Sequence, residues 1–310
     1  MNFVIQIFIL FSQTYKRRWY ILLSFSLLAF LQCAVWNTFG PIVKSVEYAY
    51  HWSDATVAMM ANWGTITFVI FVFPLCWILE TLGLRVATIT VGTLTAIGAT
   101  LRVFSTNDTG FLAFAHICSI FNGISGTTIM AAPPALSAIW FPPEQRTTAT
   151  CIAQVFNQLG SAMAFILGPY LVPDRNLTTV LNLDEDNWNN SPSLPNIKKE
   201  IQLYMGIEAG IGIALLLAFI IYFPKQPPTP PSASASLERI NFKDGLKALV
   251  KDPNVLLCTF AYALSGGVVG AWMVIILNYS LIEPTFLLNY FERYKFHLHK
   301  LFVAYTNSAN

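Results

Sequence analysis

Long apolar runs separated by short polar turns dominate this chain. The runs cover residues 19–43, 55–79, 84–104, 110–132, 149–172, 201–223 and 255–277. As helices rising about 1.5 Å per residue, each is long enough to cross the roughly 30 Å hydrocarbon core of a bilayer. The pattern therefore predicts an all-α membrane protein with seven spans.

Composition supports a membrane protein and excludes several other classes. The chain is 55% hydrophobic and only 11% charged, with a mean hydropathy of +0.55, whereas soluble domains carry roughly 25% charged residues. The net charge of +2 and the absence of a dense basic cluster predict no nucleic-acid partner. No metal or other cofactor is expected, because the cysteines lie in apolar runs without metal-ligand spacing: Cys33, Cys76, Cys118, Cys151 and Cys258.

Shifts in composition divide the chain into five segments. We expect a cytosolic leader at 1–18, a six-helix bundle at 19–223, a cytosolic linker at 224–253, a seventh span at 254–277 and an atypical tail at 278–310. The linker begins with the Pro/Ser-rich sequence FPKQPPTPPSASAS, which predicts an extended chain. The LERINFKDGLKALVKD segment that follows favours an amphipathic interfacial helix, with a solvated connector as the alternative.

Charge and glycosylation sequons predict the same topology. The predicted cytosolic segments carry Lys16, Arg17, Arg18, Arg85, Arg146, Lys225, Arg239, Lys243, Lys247 and Lys251, against Lys44, Arg102, Arg175, Lys198 and Lys199 on the other side. This asymmetry follows the positive-inside rule. The sequons at Asn107, Asn176, Asn189 and Asn278 all lie on the predicted luminal or outer side. Asn176 and Asn189, in a long polar loop, are the predicted glycosylation sites.

The second half of the first run contains the most unusual stretch, AVWNTFGPI at residues 34–42. Trp36 and Asn37 lie at membrane depth, where a lipid-facing amide would cost several kcal/mol. Gly40-Pro41 frees a backbone carbonyl and predicts a bend. An indole beside an amide suits the wall of a solute path, and a packed helix with one satisfied Asn is the alternative.

Other polar groups within apolar runs are candidates for the same path. Asn122, Asn157 and Gln158 are expected to contribute amides to solute binding. Glu208 and His116 are candidates for proton coupling, with a structural role as the alternative for each. At 100° per residue His116 and Asn122 do not share a helix face. Gly160 and Ala164 predict a close helix contact.

Two predicted cytosolic turns carry opposite charges near helix ends. They contain Glu80, Gly83 and Arg85 in the first turn and Glu144 and Arg146 in the second. Such charges can cap helix dipoles and pair to stabilise one gate state, or they can simply anchor the topology. There is no phosphate-binding GxxxxGK[ST] loop and no catalytic Ser/His/Asp or paired-carboxylate arrangement, so an enzyme is the poorest class.

Several long blocks resemble one known family. YKRRWYILLSFSLLAFLQCAVWNTFGPI, the LETLGLR turn, and MAAPPALSAIWFPPEQRTTATCIA followed by NQLGSAMAFILGPYLVP are similar to the solute carrier 49 family of the major facilitator superfamily. The resemblance covers roughly residues 15–277. It implies two six-helix bundles, a central substrate site and alternating access. The acid-x-x-Gly-x-Arg turn of that superfamily corresponds here to Glu80, Gly83 and Arg85.

The family resemblance sharpens the expected function. Trp36 matches a first-span Trp that lines the ligand cavity in choline-transporting members, which are related to feline leukaemia virus subgroup C receptors. Gly126 stands where those members have a Gln, so choline specificity is not transferred. The chain is most similar to a lysosomal branch linked to pyridoxine export. We therefore expect a transporter of a small pyridoxine-like or cationic solute, in the lysosomal or plasma membrane.

The alternative is a non-transporting membrane protein that acts as a binding or regulatory half. The first residues, MNFVIQIFILFSQ, and the tail from 278 onward do not resemble the family, so a truncated second bundle is expected. The expected partners are a small solute and membrane lipid, with a partner chain if the second bundle is truncated.

Overall fold

The computed structural model describes residues 15–104, 107–173, 194–232 and 242–282, and these contain no strand. The elements are α1 (Arg17–Trp36), a 3-10 turn (Gly40–Ile42), α2 (Val43–Tyr50), α3 (Asp54–Thr81), α4 (Leu84–Val103), α5 (Asp108–Trp140), α6 (Pro143–Leu171), α7 (Leu194–Ile221), α8 (Phe242–Lys251) and α9 (Pro253–Ile282). The chain divides into two compact units, Met1–Glu238 and Arg239–Asn310. The predicted glycosylation sites Asn176 and Asn189 lie outside the described residues.

Six apolar helical segments of the first unit are long enough to span a membrane. They are Arg17–Tyr50, Asp54–Thr81, Leu84–Val103, Asp108–Trp140, Pro143–Leu171 and Leu194–Ile221. A helix can pair most of its backbone polar groups within itself, as hydrocarbon requires. The six-helix bundle predicted from the apolar runs is therefore confirmed. The fourth helix continues past the run at 110–132 through PPALSAIW, and the sixth begins before the run at 201–223 in the more polar LPNIKKE.

The first span is broken after Trp36. The N–H of Asn37 closes α1 by donating to the carbonyls of Ala34 and Cys33 at 3.0 and 3.2 Å. Pro41 lies inside the 3-10 turn and has no N–H to continue an α-helical ladder. Helix α2 then resumes at Val43. The bend expected at Gly40-Pro41 is present, and it spreads over residues 37–42.

Glycines allow the helices to cross closely. A Cβ at Gly160 of α6 would collide with the carbonyl oxygen of Phe30 in α1, and one at Gly123 of α5 would lie 2.8 Å from the Cα of Gly64 in α3. Ala164, one turn after Gly160, is fully buried. The close contact predicted at Gly160 and Ala164 is thus confirmed, and its partner is α1.

Two apolar cores lie at opposite ends of the bundle. One contains Phe25, Leu136 and Trp140 toward the predicted cytosolic end, and the other contains aromatic rings such as those of Tyr50 and Phe111, stacked 4.5 Å apart. Between the cores, near the midpoints of their spans, lie the buried polar side chains Gln32, Asn122, Asn157 and Glu208. The candidate site is built around this middle layer.

The second unit contains α8 and α9. Helix α8 covers part of the segment predicted to be amphipathic, and its last turn carries Lys251. The Asp252 side chain accepts a hydrogen bond from the Asn254 N–H at 2.9 Å, just where α9 begins. Helix α9 is 30 residues long and includes the whole seventh predicted span.

Candidate functional site

Trp36 lies at the last position of α1, half-buried, with its indole against two glycines. A Cβ at Gly64 of α3 would collide with the indole atoms Cη2 and Cζ2, and one at Gly126 of α5 would lie 3.4 Å from Cζ3. Because neither glycine has a side chain, the ring can approach both helices closely. This packing fixes the plane of the indole at the start of the break.

Asn37 follows Trp36 and turns its amide nitrogen back onto its own helix. Its Nδ2 donates to the carbonyl of Cys33 at 2.9 Å and lies 3.8 Å from the Cys33 sulfur. The side chain is half-buried. Nδ2 is thus already engaged, so a solute at this position would meet chiefly the amide oxygen as an acceptor.

Side-chain amides of α5 and α6 donate hydrogen bonds to backbone carbonyls of α1. Asn122 Nδ2 donates to the carbonyl of Gln32 at 3.0 Å, and Gln32 Nε2 donates in return to the carbonyl of Asn122 at 3.1 Å. Asn157 Nδ2 donates to the carbonyl of Ala29 at 3.0 Å. Gln158, the neighbour of Asn157, lies on an exposed face of α6. The structure therefore brings Asn122 and Asn157 to the first span, whereas Gln158 lies on the exposed face of α6 and does not join them.

Asn122 is 2% exposed, and its Oδ1 is buried without a hydrogen-bond partner among the described residues. Gln32, which the sequence analysis did not single out, completes the reciprocal pair. Sequence spacing gave no signal for this pairing, because the two residues lie 90 positions apart.

His116 is paired with Trp63 of α3, a residue that the sequence analysis also did not single out. The indole Nε1 donates to His116 Nδ1 at 2.8 Å, and the two rings meet edge to face. An indole N–H can only donate, so Nδ1 must carry a lone pair. In a neutral imidazole the proton is therefore on Nε2, which leaves His116 with its single N–H to offer.

Glu208 forms a buried ion pair with Arg102. Arg102 Nη2 lies 2.7 Å from Glu208 Oε2, and the two side chains are 1% and 5% exposed. Thr38, in the break of the first span, donates to Glu208 Oε1 at 2.8 Å. Three elements, α4, α7 and the break, therefore meet at one carboxylate.

The pairing of these two charges is not predicted in the sequence analysis. Arg102 is counted there among the outer charges, but the structure buries it in the last turn of α4. Helix α7 begins at Leu194, so Glu208 lies roughly four turns inside it. Each charge is tolerated at that depth because the other neutralises it.

The first predicted gating turn depends on a glycine. Gly83 has φ +88, a conformation that side-chain-bearing residues rarely adopt, and it precedes α4 directly. Glu80 and Arg85 are both exposed, and neither forms an ion pair with another described residue. The backbone conformation of Gly83 therefore sets the geometry of this turn, and Glu80 and Arg85 do not form the expected ion pair among the described residues.

The second predicted gating turn contacts the start of the linker. Arg146 donates to the carbonyl of Phe141 at 3.2 Å and to Ser232 Oγ at 2.8 Å. Glu144 lies in the first turn of α6, where a carboxylate favours the helix N-terminus. Thr229 bonds to the hydroxyl of Tyr15 at 3.0 Å. Residues 229–232 thus lie across the predicted cytosolic end of the first unit.

No group of three or more His, Cys, Asp or Glu side chains in the described part of the chain is arranged to hold a metal ion. The site offers an aromatic face, amides, an imidazole and a neutralised charge pair. Groups of these kinds can bind and orient a small organic molecule.

Comparison with known proteins identifies the family. The sequence profile described as Major Facilitator Superfamily matches residues 25–305. The chain belongs to the Major Facilitator Superfamily. It is 38% identical over 261 residues to the solute carrier family 49 member 4 homolog of Xenopus tropicalis, covering 84% of this chain and 56% of that protein. It is 26% identical over 261 residues to the choline/ethanolamine transporter FLVCR2 of Homo sapiens, covering 81% and 46% of the two chains.

Solved structures agree with this superfamily fold. The fold of this chain is similar to the crystal structure of a bacterial homolog of the human lysosomal transporter Spinster, in an inward-facing, unoccupied conformation. The TM-score is 0.51 at 18% identity, covering 78% of this chain and 50% of that chain. At this identity the likeness supports the fold alone. The chain spans about half the length of the relatives it matches.

Proposed function

We propose that this chain forms the first bundle of a facilitator that moves a small organic solute across a membrane by alternating access. Membership of the superfamily and the similarity to solute carrier and choline/ethanolamine transporters support the transporter class. The solute is a cationic or pyridoxine-like molecule. The membrane is that of the lysosome, by similarity to the member 4 relatives, and the plasma membrane is the alternative.

The placement of Trp36 is the observation that carries this proposal. Its indole lies half-buried near the middle of the first span, packed closely against Gly64 and Gly126. An aromatic face attracts a quaternary ammonium or a flat ring, and a cation over such a face gains about 0.5–2 kcal/mol. A preformed wall of this kind loses little entropy when the solute arrives.

The other predicted site residues take supporting roles in this proposal. The Asn37 amide oxygen and the His116 Nε2–H offer an acceptor and a donor for the polar groups of the solute. Asn122 and Asn157 hold the first span in register through its carbonyls, and Gln158 faces away from this path. The turns at Glu80, Gly83, Arg85, Glu144 and Arg146 form the cytosolic gate.

A binding and flux assay tests the proposal. The purified chain in lipid nanodiscs is titrated with radiolabelled choline, ethanolamine and pyridoxine, and the same chain in liposomes is assayed for uptake. We expect saturable binding of at least one solute, weakened about 2- to 30-fold by Trp36→Ala and restored largely by Trp36→Phe. Trp77→Ala is the matched control, because Trp77 lies on an exposed face of α3.

The outcomes separate the two functional classes. Saturable binding with uptake supports a facilitator. Binding without uptake favours the alternative, a binding or regulatory half that acts with another chain. No saturable binding of any of the three solutes, or equal effects of Trp36→Ala and Trp77→Ala, contradicts the assignment of the site.

A further inference from the structure

The buried ion pair contacts the break in the first span through both of its members. Glu208 Oε1 accepts the Thr38 hydroxyl at 2.8 Å, and the Arg102 guanidinium carbon lies 5.8 Å from the centre of the Phe39 ring. Thr38 and Phe39 are consecutive residues of the break and are both buried. The two charges therefore hold two neighbouring residues that directly follow Trp36 and Asn37.

We infer that Arg102 and Glu208 are positioning residues, which set the geometry of the break and thereby the placement of Trp36. This inference rests on the proposed function only for its consequence at the solute site. Its physical basis is local. A helix broken over residues 37–42 has freed backbone groups and no ladder to define its direction, so contacts from neighbouring helices must define it.

The Thr38 hydroxyl shows how the contact works. It has three acceptors within reach: the carbonyls of Ala34 and Val35, at 3.3 and 3.0 Å, and Glu208 Oε1 at 2.8 Å. A hydroxyl donates one proton at a time. The carboxylate is the nearest acceptor and is charged, so the hydroxyl donates its hydrogen bond to the carboxylate. Without it the hydroxyl turns back onto its own helix, and the link between α7 and the break is lost.

The pair acts as a unit because neither charge is stable alone at this depth. Removal of one partner leaves an uncompensated buried charge, which must gain water or move toward it. Both side chains contact the break, so either response disturbs it. Neutral replacement of both partners removes the need for any movement. If Glu208 were instead a proton carrier, the function lost on its replacement could not be restored by also changing Arg102.

The native cysteines provide a solute-free assay. Cys33 is half-buried one turn before the break, and both its carbonyl and its sulfur contact Asn37. Cys151 is exposed on α6 and serves as the internal reference. The full chain in nanodiscs is treated with a water-soluble maleimide, and the labelling rates of both cysteines are followed by peptide mass spectrometry.

The variants separate positioning from general loss of structure. Glu208→Gln and Arg102→Met each leave one charge, and their combination leaves none while keeping an oxygen for Thr38. We expect each single change to raise the Cys33 rate relative to the Cys151 rate by roughly fivefold or more, because local opening controls access. The double variant should return to within about twofold of the unaltered chain.

Milder variants keep the test valid if a charge change prevents folding. Thr38→Val removes only the hydroxyl and should raise the Cys33 rate, whereas Thr38→Ser should restore it. Lys198→Ala, which breaks the exposed Lys198–Asp108 pair, is the matched ion-pair control and should change nothing. Equal Cys33 rates in Thr38→Val and Thr38→Ser, or a double charge variant no better than the worse single one, would overturn the inference.

The solute assay then separates the two proposals. If cysteine labelling follows the expected pattern but Trp36→Ala leaves solute binding unchanged, the proposed function fails and the positioning of the break stands. If solute binding depends on Trp36 but labelling does not respond, the proposed function stands and the positioning role is wrong.

Discussion

The crossing of α1 and α6 gives the sharpest stability prediction. Gly160→Ala adds one methyl group at a position where it would collide with the Phe30 carbonyl oxygen and lie 2.8 Å from the Phe30 carbonyl carbon. These are backbone atoms of a helix, so no rotamer change can relieve the contact. The two helices must move apart instead.

The expected magnitude follows from what that separation disrupts. Overpacking a close contact costs about 1–3 kcal/mol, which lowers the folding equilibrium constant roughly 5- to 150-fold. Separation also lengthens the hydrogen bond from Asn157 to the Ala29 carbonyl, now 3.0 Å. At Gly210 of α7 nothing lies within 4 Å of an added Cβ, and alanine there gains up to about 1 kcal/mol of helix propensity.

The assay is reversible unfolding of the purified chain in mixed micelles of increasing denaturing-detergent content, followed by circular dichroism. We expect Gly160→Ala to unfold at a clearly lower detergent fraction than the unaltered chain, and Gly210→Ala at an equal or higher one. Both variants gain the same helix propensity, so the free-energy difference between them should be the overpacking cost of about 1–3 kcal/mol. If Gly160→Ala is as stable as Gly210→Ala, the close crossing described for α1 and α6 is wrong.

Three further predictions concern other parts of the chain. Gly83→Ala places a side chain at φ +88 and should cost about 1–2 kcal/mol in the same unfolding assay; an unchanged midpoint would argue against the turn geometry. Trp63→Phe removes the donor to His116 Nδ1 and should shift the ¹⁵N resonances of that imidazole toward a mixture of tautomers, whereas an unaltered spectrum would mean that the bond is absent. Asn176→Gln and Asn189→Gln should each increase the electrophoretic mobility of the chain expressed in animal cells, as endoglycosidase treatment does; identical mobility of all forms would contradict the predicted luminal loop.

Much of the fold could be predicted from the sequence because a bilayer permits few solutions. A run such as 149–172 can satisfy its backbone in hydrocarbon only as a helix, so apolar length alone predicts the spans. Local chemistry also predicted the bend at Gly40-Pro41 and the close contact at Gly160. In each case the cause lies within a few residues: proline lacks an N–H, and glycine lacks a side chain.

The partners within the candidate site could not be predicted in the same way. Position along a helix gives the depth of a side chain but not the helix that it faces. Arg102 and Glu208 are 106 residues apart and Trp63 and His116 are 53 apart, so their pairing depends on how the helices are arranged around the bundle. From its position at the end of a span, Arg102 is predicted to be a charge of the outer segments. Its counterion, Glu208, is brought to it only by the packing of α4 against α7.

The central claim is that a solute meets the indole of Trp36. Photo-crosslinking tests it most directly, with diazirine derivatives of choline and of pyridoxine added to the chain in nanodiscs and the labelled peptides identified by mass spectrometry. We expect at least one probe to label peptides containing Trp36, Gly64 or Gly126, and excess unlabelled solute or Trp36→Ala to remove this labelling. Labelling confined to lipid-facing peptides such as that of Trp77, unaffected by competition, would contradict the account.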